Sequence, residues 1–322
     1  PSPLPDPRYA GGTPLVCGLP RAPAMVRMLL AGVALFALAG AGQQPPGKPP
    51  SPPGQQRASV VAAARHDTSA PLRAIAPVSP ARRLDPDERE PRLARRIVRG
   101  RGAPDPVVQR RAGAMTMPAT SQSVEGIGNV NEVLPPDTNA AVGPNHYVHS
   151  VNVSFAIYSK GSGSTPPALL YGPAETSTLW AGFGGPCEGR NDGDAIVLYD
   201  HLADRWVMSQ LALPNLIFGI AIGPFYQCLA ISATPDPLGA YHRYQFAFNK
   251  LNDYPKLGVW PDAYYMAINQ SSAVTLDFAG QGVIAFDRDK MLAGLPATMQ
   301  YLDLAGVDMT LAGRLPADLD GP

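Results

Sequence analysis

This chain has no excess of either charge, and the apolar run near its start is too short for a membrane span. Lysine and arginine number 26, and aspartate and glutamate number 26, so no net field draws the chain to nucleic acid or to a charged membrane. The run "LLAGVALFALAGAG" (29–42) falls short of the roughly 20 residues that cross a bilayer. We therefore expect no nucleic acid partner and no membrane span in the mature chain.

The same apolar run follows one positive charge and ends in small residues, which is typical of a secretory signal peptide. Cleavage would fall after "ALA" (37–39) or "AGA" (39–41). We predict a signal peptide over 25–41, with residues 1–24 as upstream sequence that is not native to the protein. The expected location is the periplasm, the cell surface or the medium.

Aromatic residues are absent from the next part of the chain. The stretch "QQPPGKPPSPPGQQ" (43–56) is rich in proline, and no Phe, Trp or Tyr occurs over 43–118. Such a segment buries too little apolar surface to offset the entropy that is lost on ordering. We predict that 42–118 is a disordered Pro/Ala/Arg-rich linker. Its arginine pairs lie at 95–96 and 110–111. They could contact an anionic surface or mark the cleavage of a pro-segment, but a simply solvated segment is the favoured interpretation.

Cysteine is also scarce, and it occurs only as Cys17, Cys187 and Cys228. Cys17 precedes the predicted signal peptide, so the mature chain holds two cysteines. An oxidising compartment permits one bridge between them, which would tie the loop that holds Cys187 to the strand that holds Cys228. Two unpaired thiols are the alternative, because a buried cysteine in an apolar strand is ordinary.

The second half of the chain contains a repeat of strand and turn signals. "VGPNHYVHSVN" (142–152) aligns without gaps on "VWPDAYYMAIN" (259–269), and "DGDAIVLYDHLADRWVMSQ" (192–210) is a looser copy with a longer turn. Each copy is predicted to form a strand, a tight turn and a second strand. In the middle copy, "YQCLAISAT" (226–234) and "AYHRYQFAF" (240–248) follow as two more predicted strands.

Four antiparallel strands repeated at 57 and 59 residues are typical of a β-propeller blade. We predict an all-β domain over 119–322, a β-propeller-like array of four-stranded antiparallel blades with about three copies and the start of another at "LPADLDGP" (315–322). Three copies are fewer than the roughly 4–8 blades that close a ring, so the domain is expected to be incomplete at its C-terminal end. A β-sandwich with a chance repeat is the alternative fold.

Four stretches carry a resemblance to known proteins: "PPDTNAAVGPNHYV" (135–148), "NDGDAIVLYDHLADRW" (191–206), "DPLGAYHRYQF" (236–246) and "DYPKLGVWPDAYY" (253–265). At these residues the sequence resembles a group of secreted bacterial β-propeller-like proteins of unassigned function. The resemblance implies export and a propeller-like domain. It implies no catalytic residue.

The common catalytic motifs are lacking. There is no G-x-S-x-G elbow, H-E-x-x-H motif, Walker loop or EF-hand loop, so the sequence favours a protein that is not an enzyme. His146 and His149 are three residues apart, which puts them on opposite faces of a strand and disfavours a shared metal ion. Trp180, Trp206 and Trp260 are candidates for a sugar-stacking platform, but packing between blades is the favoured interpretation.

Carboxylates recur at the start of each copy. Asp137, Asp194 and Asp253 stand close to the first strand of a copy, and Asp318 or Asp320 opens the next. First strands line the channel of a propeller, so these side chains are predicted to gather at one channel mouth and to hold a ligand or a cation such as Ca²⁺. For any single aspartate, a hydrogen bond to the turn before its strand is the favoured alternative.

Three functions are left open by these patterns. The leading hypothesis is a secreted, monomeric, non-catalytic module that binds a glycan or a surface protein. The main alternative is an extracellular carbohydrate hydrolase that uses two of the aspartates as acid and base. A purely structural repeat module is the third.

Overall fold

The computed structural model describes residues 57–81, 123–163, 165–217 and 220–319. The predicted signal peptide, the upstream segment and the arginine pairs lie outside these residues. The described chain is all-β, as expected, and its strands form antiparallel sheets. None of the helices in these residues has the length and apolar character that a membrane crossing requires.

The strands follow one another along the described chain as β1 (Ser59–Ala62), β2 (Arg65–Thr68), β3 (Thr138–Val142), β4 (His146–Val151), β5 (Ser154–Ser159), β6 (Ala168–Glu175), β7 (Ile196–Asp200), β8 (Arg205–Ala212), β9 (Leu216–Ile217), β10 (Ile220–Ala221), β11 (Phe225–Ser232), β12 (Tyr241–Phe248), β13 (Leu251–Val259), β14 (Tyr264–Ser271), β15 (Phe278–Phe286) and β16 (Thr298–Asp303). The helices are short: α1 (Pro186–Gly189), α2 (Arg288–Leu292), and the 3₁₀ segments Leu72–Ala74, Thr176–Trp180 and Leu304–Gly306.

Three sheets carry the fold, and each contains a meander of four strands. The first sheet runs β3-β4-β5-β6, the second runs β7-β8-β11-β12, and the third runs β13-β14-β15-β16. The short hairpin of β9 and β10 is inserted between the second and third strands of the second sheet. The strand–turn–strand prediction is therefore confirmed in all three copies.

The second sheet is buried on both faces, because it lies between two hydrophobic cores. On β11, Leu229 and Ile231 join a core with residues of the third sheet, and Cys228 and Ala230 join a core with residues of the first sheet. Successive side chains of a strand point to opposite faces. A strand that is buried on both sides therefore reads as a continuous apolar run, as "CLAI" does here.

The first strands of the three sheets lie side by side, with β3 against β7 and β7 against β13. The Val197 N–H donates to Asn139 Oδ1 at 2.7 Å, and a β-carbon at Gly143 would lie 3.0 Å from the Tyr199 ring. These two contacts show that β3 and β7 run in the same direction. The three sheets form an open array, not a closed ring.

The expectation of disorder over 42–118 needs correction for residues 57–81. β1 pairs with β16 as a fifth strand of the third sheet, and β2 pairs with β12 as a fifth strand of the second sheet. Composition misses such strands because an added edge strand is held by main-chain hydrogen bonds and needs few apolar side chains. The rest of the predicted linker lies outside the described residues.

The asparagine that recurs in the aligned copies ties flanking segments to the sheets. Asn152 Nδ2 donates to the Pro135 carbonyl at 2.8 Å, before the first sheet, and Asn269 Oδ1 accepts from the Gly313 N–H at 2.9 Å, after the third sheet. Residues 311–319 form no strand, so the described chain does not continue into a fourth sheet there.

The disulfide prediction is confirmed. Cys187, in α1, is bonded to Cys228, in β11, with the two Cα atoms 6.0 Å apart. Both residues are fully buried in the core between the first and second sheets. The bridge therefore fixes the loop that precedes β7 to the third strand of the same sheet.

A buried ion pair joins the second and third sheets. Asp200, at the end of β7, accepts from Arg288 Nε at 2.8 Å and Nη2 at 3.0 Å, and from the Tyr264 hydroxyl at 2.8 Å. Asp200 is 0% exposed, and burial together with this carboxylate raises the pKa of Tyr264. Tyr264 therefore stays protonated and keeps donating to the carboxylate.

We expect loss of the disulfide to destabilise the fold strongly. The bridge closes a loop with a sequence separation of 41 residues, for which the chain-entropy estimate is about 4 kcal/mol. Chemical denaturation of Cys187→Ala/Cys228→Ala, against wild type with and without reductant, measures this loss. Reductant should lower the wild-type midpoint and leave the variant unchanged. An equal shift in both would contradict the assignment.

We expect Asp200→Ala to cost about 3–5 kcal/mol of unfolding free energy, because it leaves the Arg288 guanidinium buried without a counter-charge. The double variant Asp200→Ala/Arg288→Met should be more stable than the single variant, since the unpaired cation is gone. Urea denaturation of the four combinations measures the coupling. A single variant that loses no more than about 1 kcal/mol, as an exposed pair would, would show that the pair does not join the sheets.

Candidate functional site

The sequence-predicted aspartates stand at the starts of first strands. Asp137 directly precedes β3, Asp194 lies two residues before β7, and Asp253 is the third residue of β13. The backbone is left-handed at Asp137 (φ 39°), at Asp194 (φ 50°) and at Tyr254 (φ 50°). Aspartate tolerates this region better than most residues do. The left-handed backbone therefore gives a structural reason for Asp137 and Asp194, whereas in the third copy the left-handed residue is Tyr254 and not Asp253.

Two of these carboxylates lie together. The Tyr254 N–H donates to Asp194 Oδ2 at 3.1 Å and to Asp253 Oδ1 at 2.9 Å. Because both oxygens lie within 3.1 Å of one nitrogen, they are at most about 6 Å apart. The Lys256 ammonium lies 3.8 Å from the centre of the Tyr254 ring. We call Asp194 and Asp253, which are bridged by the Tyr254 N–H, the carboxylate pair.

The four-carboxylate site expected at one channel mouth is not assembled. Asp318 Oδ1 accepts from the Val259 N–H, at the far end of β13 from Asp253, roughly 20 Å away at strand spacing. In the gapless alignment of the first and third copies, Asp137 corresponds to Tyr254, one residue after Asp253. Among the described residues, which include all four aspartates, no three His, Cys, Asp or Glu side chains are grouped so that they could hold a metal ion. Binding of Ca²⁺ at these aspartates stays a prediction.

A second candidate surface lies on the third sheet, beside the segment 311–319. It is a pocket of about 200 Å³. The side chains that define it are Trp260, Tyr265, Met266, Ile284, Arg314 and Leu315. We call it the aromatic pocket.

Hydrogen bonds hold both aromatic walls of this pocket. Trp260 lies in the turn between β13 and β14 and is 37% exposed, and its Nε1 donates to the Ala317 carbonyl at 2.9 Å. The Tyr265 hydroxyl donates to Asp262 Oδ2 at 2.9 Å, and this hydrogen bond raises the pKa of Tyr265. The pocket thus offers a fixed indole and a phenol beside the cationic Arg314.

The three tryptophans divide between packing and surface. Trp180 and Trp206 are almost fully buried in the core between the first and second sheets. The Trp206 ring packs on Gly143 of the first sheet, where a β-carbon would lie 2.7 Å from it. Packing is therefore the correct interpretation for these two, and Trp260 alone of the three lines the pocket. Sequence patterns had no means to find Arg314, because only tertiary contact brings it to β14.

The two histidines of β4 occupy different environments, in agreement with their spacing. His149 is buried, and its Nδ1 accepts from the Ile127 N–H at 3.2 Å. Burial lowers the pKa of His149, and burial with the nearby charge of Arg73 lowers the pKa of His146. The folded chain therefore favours neutral imidazole at both positions.

We expect the stability of the chain to fall on acidification below about pH 6.5, because the unfolded state then binds protons that the folded His149 resists. This contribution is complete above the unfolded pKa and is lost as the pH falls toward the lowered pKa of the folded state. In His149→Gln, the unfolding free energy should change less between about pH 7 and pH 5. The control Val274→Ala, at an exposed position with a side chain that does not titrate, should keep the wild-type profile. Identical profiles for the two variants would contradict the assignment.

No family model, curated protein or solved structure matches this chain. The resemblance to secreted bacterial propeller-like proteins therefore depends on the quoted stretches alone. No catalytic or binding residue therefore passes to this chain from a relative.

Proposed function

We propose that this chain is an exported, β-propeller-like module that binds a glycan at the aromatic pocket. The observation that carries the proposal is that Arg314 and the partly exposed Trp260 line the same concave site on the third sheet. An indole face stacks on the apolar face of a sugar ring, and a guanidinium donates paired hydrogen bonds to a carboxylate. The pocket chemistry therefore favours a sugar that carries an acidic group.

The propeller-like arrangement is supported by the order of the first strands. β3, β7 and β13 are neighbours in chain order, and β3 and β7 run in the same direction. First strands occupy this position around the channel of a propeller. Three sheets would cover an arc of such a ring, as the repeat count leads one to expect.

Export is supported by the disulfide between Cys187 and Cys228. Such bridges persist in oxidising compartments and are rare in the reducing cytosol. The bridge therefore agrees with the signal peptide that the sequence predicts, although that segment lies outside the described residues.

The carboxylate pair keeps a carbohydrate hydrolase as the second candidate. Asp194 and Asp253 have oxygens at most about 6 Å apart, an upper bound that includes the separation of about 5–5.5 Å that retaining glycosidases use. In that case one aspartate would be the nucleophile and the other the acid and base. This function would place the substrate at the carboxylate pair, away from the aromatic pocket.

A glycan array with the folded chain tests the proposal, followed by titration of the bound sugar. We expect Trp260→Ala to weaken binding about tenfold, the loss that corresponds to roughly 1.4 kcal/mol of stacking. Arg314→Met should remove the preference for acidic sugars. Tyr254→Ala, an exposed aromatic at the carboxylate pair, is the matched control and should bind as wild type.

The other outcomes separate the alternatives. Binding that is lost in Tyr254→Ala and kept in Trp260→Ala would place the site at the carboxylate pair. Release of reducing sugar that disappears in Asp194→Asn would establish the hydrolase. No glycan bound by the array would overturn the proposal.

A further inference from the structure

Residues 57–81, which we call the strap, run along the outer edges of the sheets. β1 pairs with β16 from Ser59 opposite Tyr301 to Ala62 opposite Thr298. β2 pairs with β12 from Arg65 opposite Gln245 to Thr68 opposite His242. The strap thus adds the outermost strand to the third sheet and then to the second sheet.

The strap continues to the first sheet, and its main anchor is Leu72. This side chain is 0% exposed and joins the core between the first and second sheets. The Leu72 N–H donates to the Gly239 carbonyl at 2.9 Å. Beyond it, the Ile75 carbonyl accepts from the Tyr171 hydroxyl at 2.9 Å, at the edge of the first sheet. All three sheets therefore contact the strap.

The strap covers a site on β12 and β16 whose charged and main-chain groups need a partner. Arg243 is buried, and Asp67 of the strap binds its guanidinium through two hydrogen bonds, at 2.8 Å and 2.7 Å. Without the strap, this cation would lack its counter-charge, at a cost typical of a broken buried pair. The edges of β12 and β16 would also present unpaired N–H and C=O groups, which pair readily with another strand.

The strap lies far ahead of its partners in the sequence, so it is synthesised well before the residues that form its site. Asp67 precedes Arg243 by 176 residues, and Ser59 precedes its partner Tyr301 by 242 residues. Contacts of such separation form late in folding, because a large loop must close first. Until then the strap and its site are both available to other chains.

We propose that the site accepts the strap of a second copy of this chain, so that chains folding together exchange straps. The second copy offers the same main-chain donors, the same Asp67 and the same Leu72. The connecting residues 82–122, about 40 residues, can span on the order of 100 Å when extended. The tether raises the effective concentration of the chain's own strap, so the monomer is the expected form at dilution and exchange occurs when copies fold at high concentration.

The experiment crosslinks the strap of one chain to the site of another. Val60 lies opposite Gln300 in the β1–β16 pair, and both side chains are exposed, so one chain carries Val60→Cys and the other carries Gln300→Cys. All chains also carry Cys17→Ser. The two are unfolded, mixed at high concentration, refolded and oxidised, and a non-reducing gel is expected to show a covalent dimer. The same chains folded separately and then mixed should stay monomeric.

Two controls define the result. A single chain with Val60→Cys and Gln300→Cys should form the bond internally, which checks the register in the folded chain. The partner Val274→Cys, at an exposed site away from the strap, measures chance crosslinking. Adding Leu72→Asp to the Val60→Cys chain should reduce the dimer to that background.

The proposal is overturned by any of three findings. The first is a co-refolded mixture with no dimer above the Val274→Cys background, while the internal bond forms. The second is an internal bond that fails to form, since the strap would then not occupy this register. The third is a dimer that Leu72→Asp does not reduce, since the crosslink would then not depend on strap docking.

Discussion

Burial of each sheet against the next one is the constraint on which the rest of this structure depends. The second sheet has two apolar faces and cannot bury both by itself. The second sheet solves this by packing Trp206 on Gly143 of the first sheet, while Asp200 receives Tyr264 and Arg288 from the third. The first contact is apolar and the second is ionic, and each holds the second sheet against a neighbouring sheet.

Face-to-face packing leaves the outer edge strands of the sheets without a hydrogen-bonded neighbour. The strap is ordered because it pairs with these edges. An open edge offers main-chain hydrogen bonds to any extended segment. The strap uses them along β16 and β12 and adds specificity through Leu72 and Asp67. The disulfide acts on a different element, since it ties α1 to β11 inside one sheet. The sheets are thus held together from their faces and from their edges.

The two candidate surfaces occupy different parts of the array for the same geometric reason. The carboxylate pair lies where neighbouring first strands begin, so residues repeated along the chain meet there. The aromatic pocket lies where the third sheet meets the segment 311–319, which is not part of the repeat. Repetition predicted the first surface in part. It carried no information on the second, whose Arg314 is brought to the sheet by tertiary contact.

The sequence by itself determined the local structure: the strand and turn alternation, the three copies, and the two cysteines available for a bridge. These follow from short-range rules, since strand pairs within a copy are close along the chain. Only the tertiary structure decided that Asp194 and Asp253 meet while Asp318 does not, and that residues 57–81 form strands. Edge pairing over some 242 residues depends on main-chain groups that every residue carries, so side-chain patterns in the sequence do not reveal it.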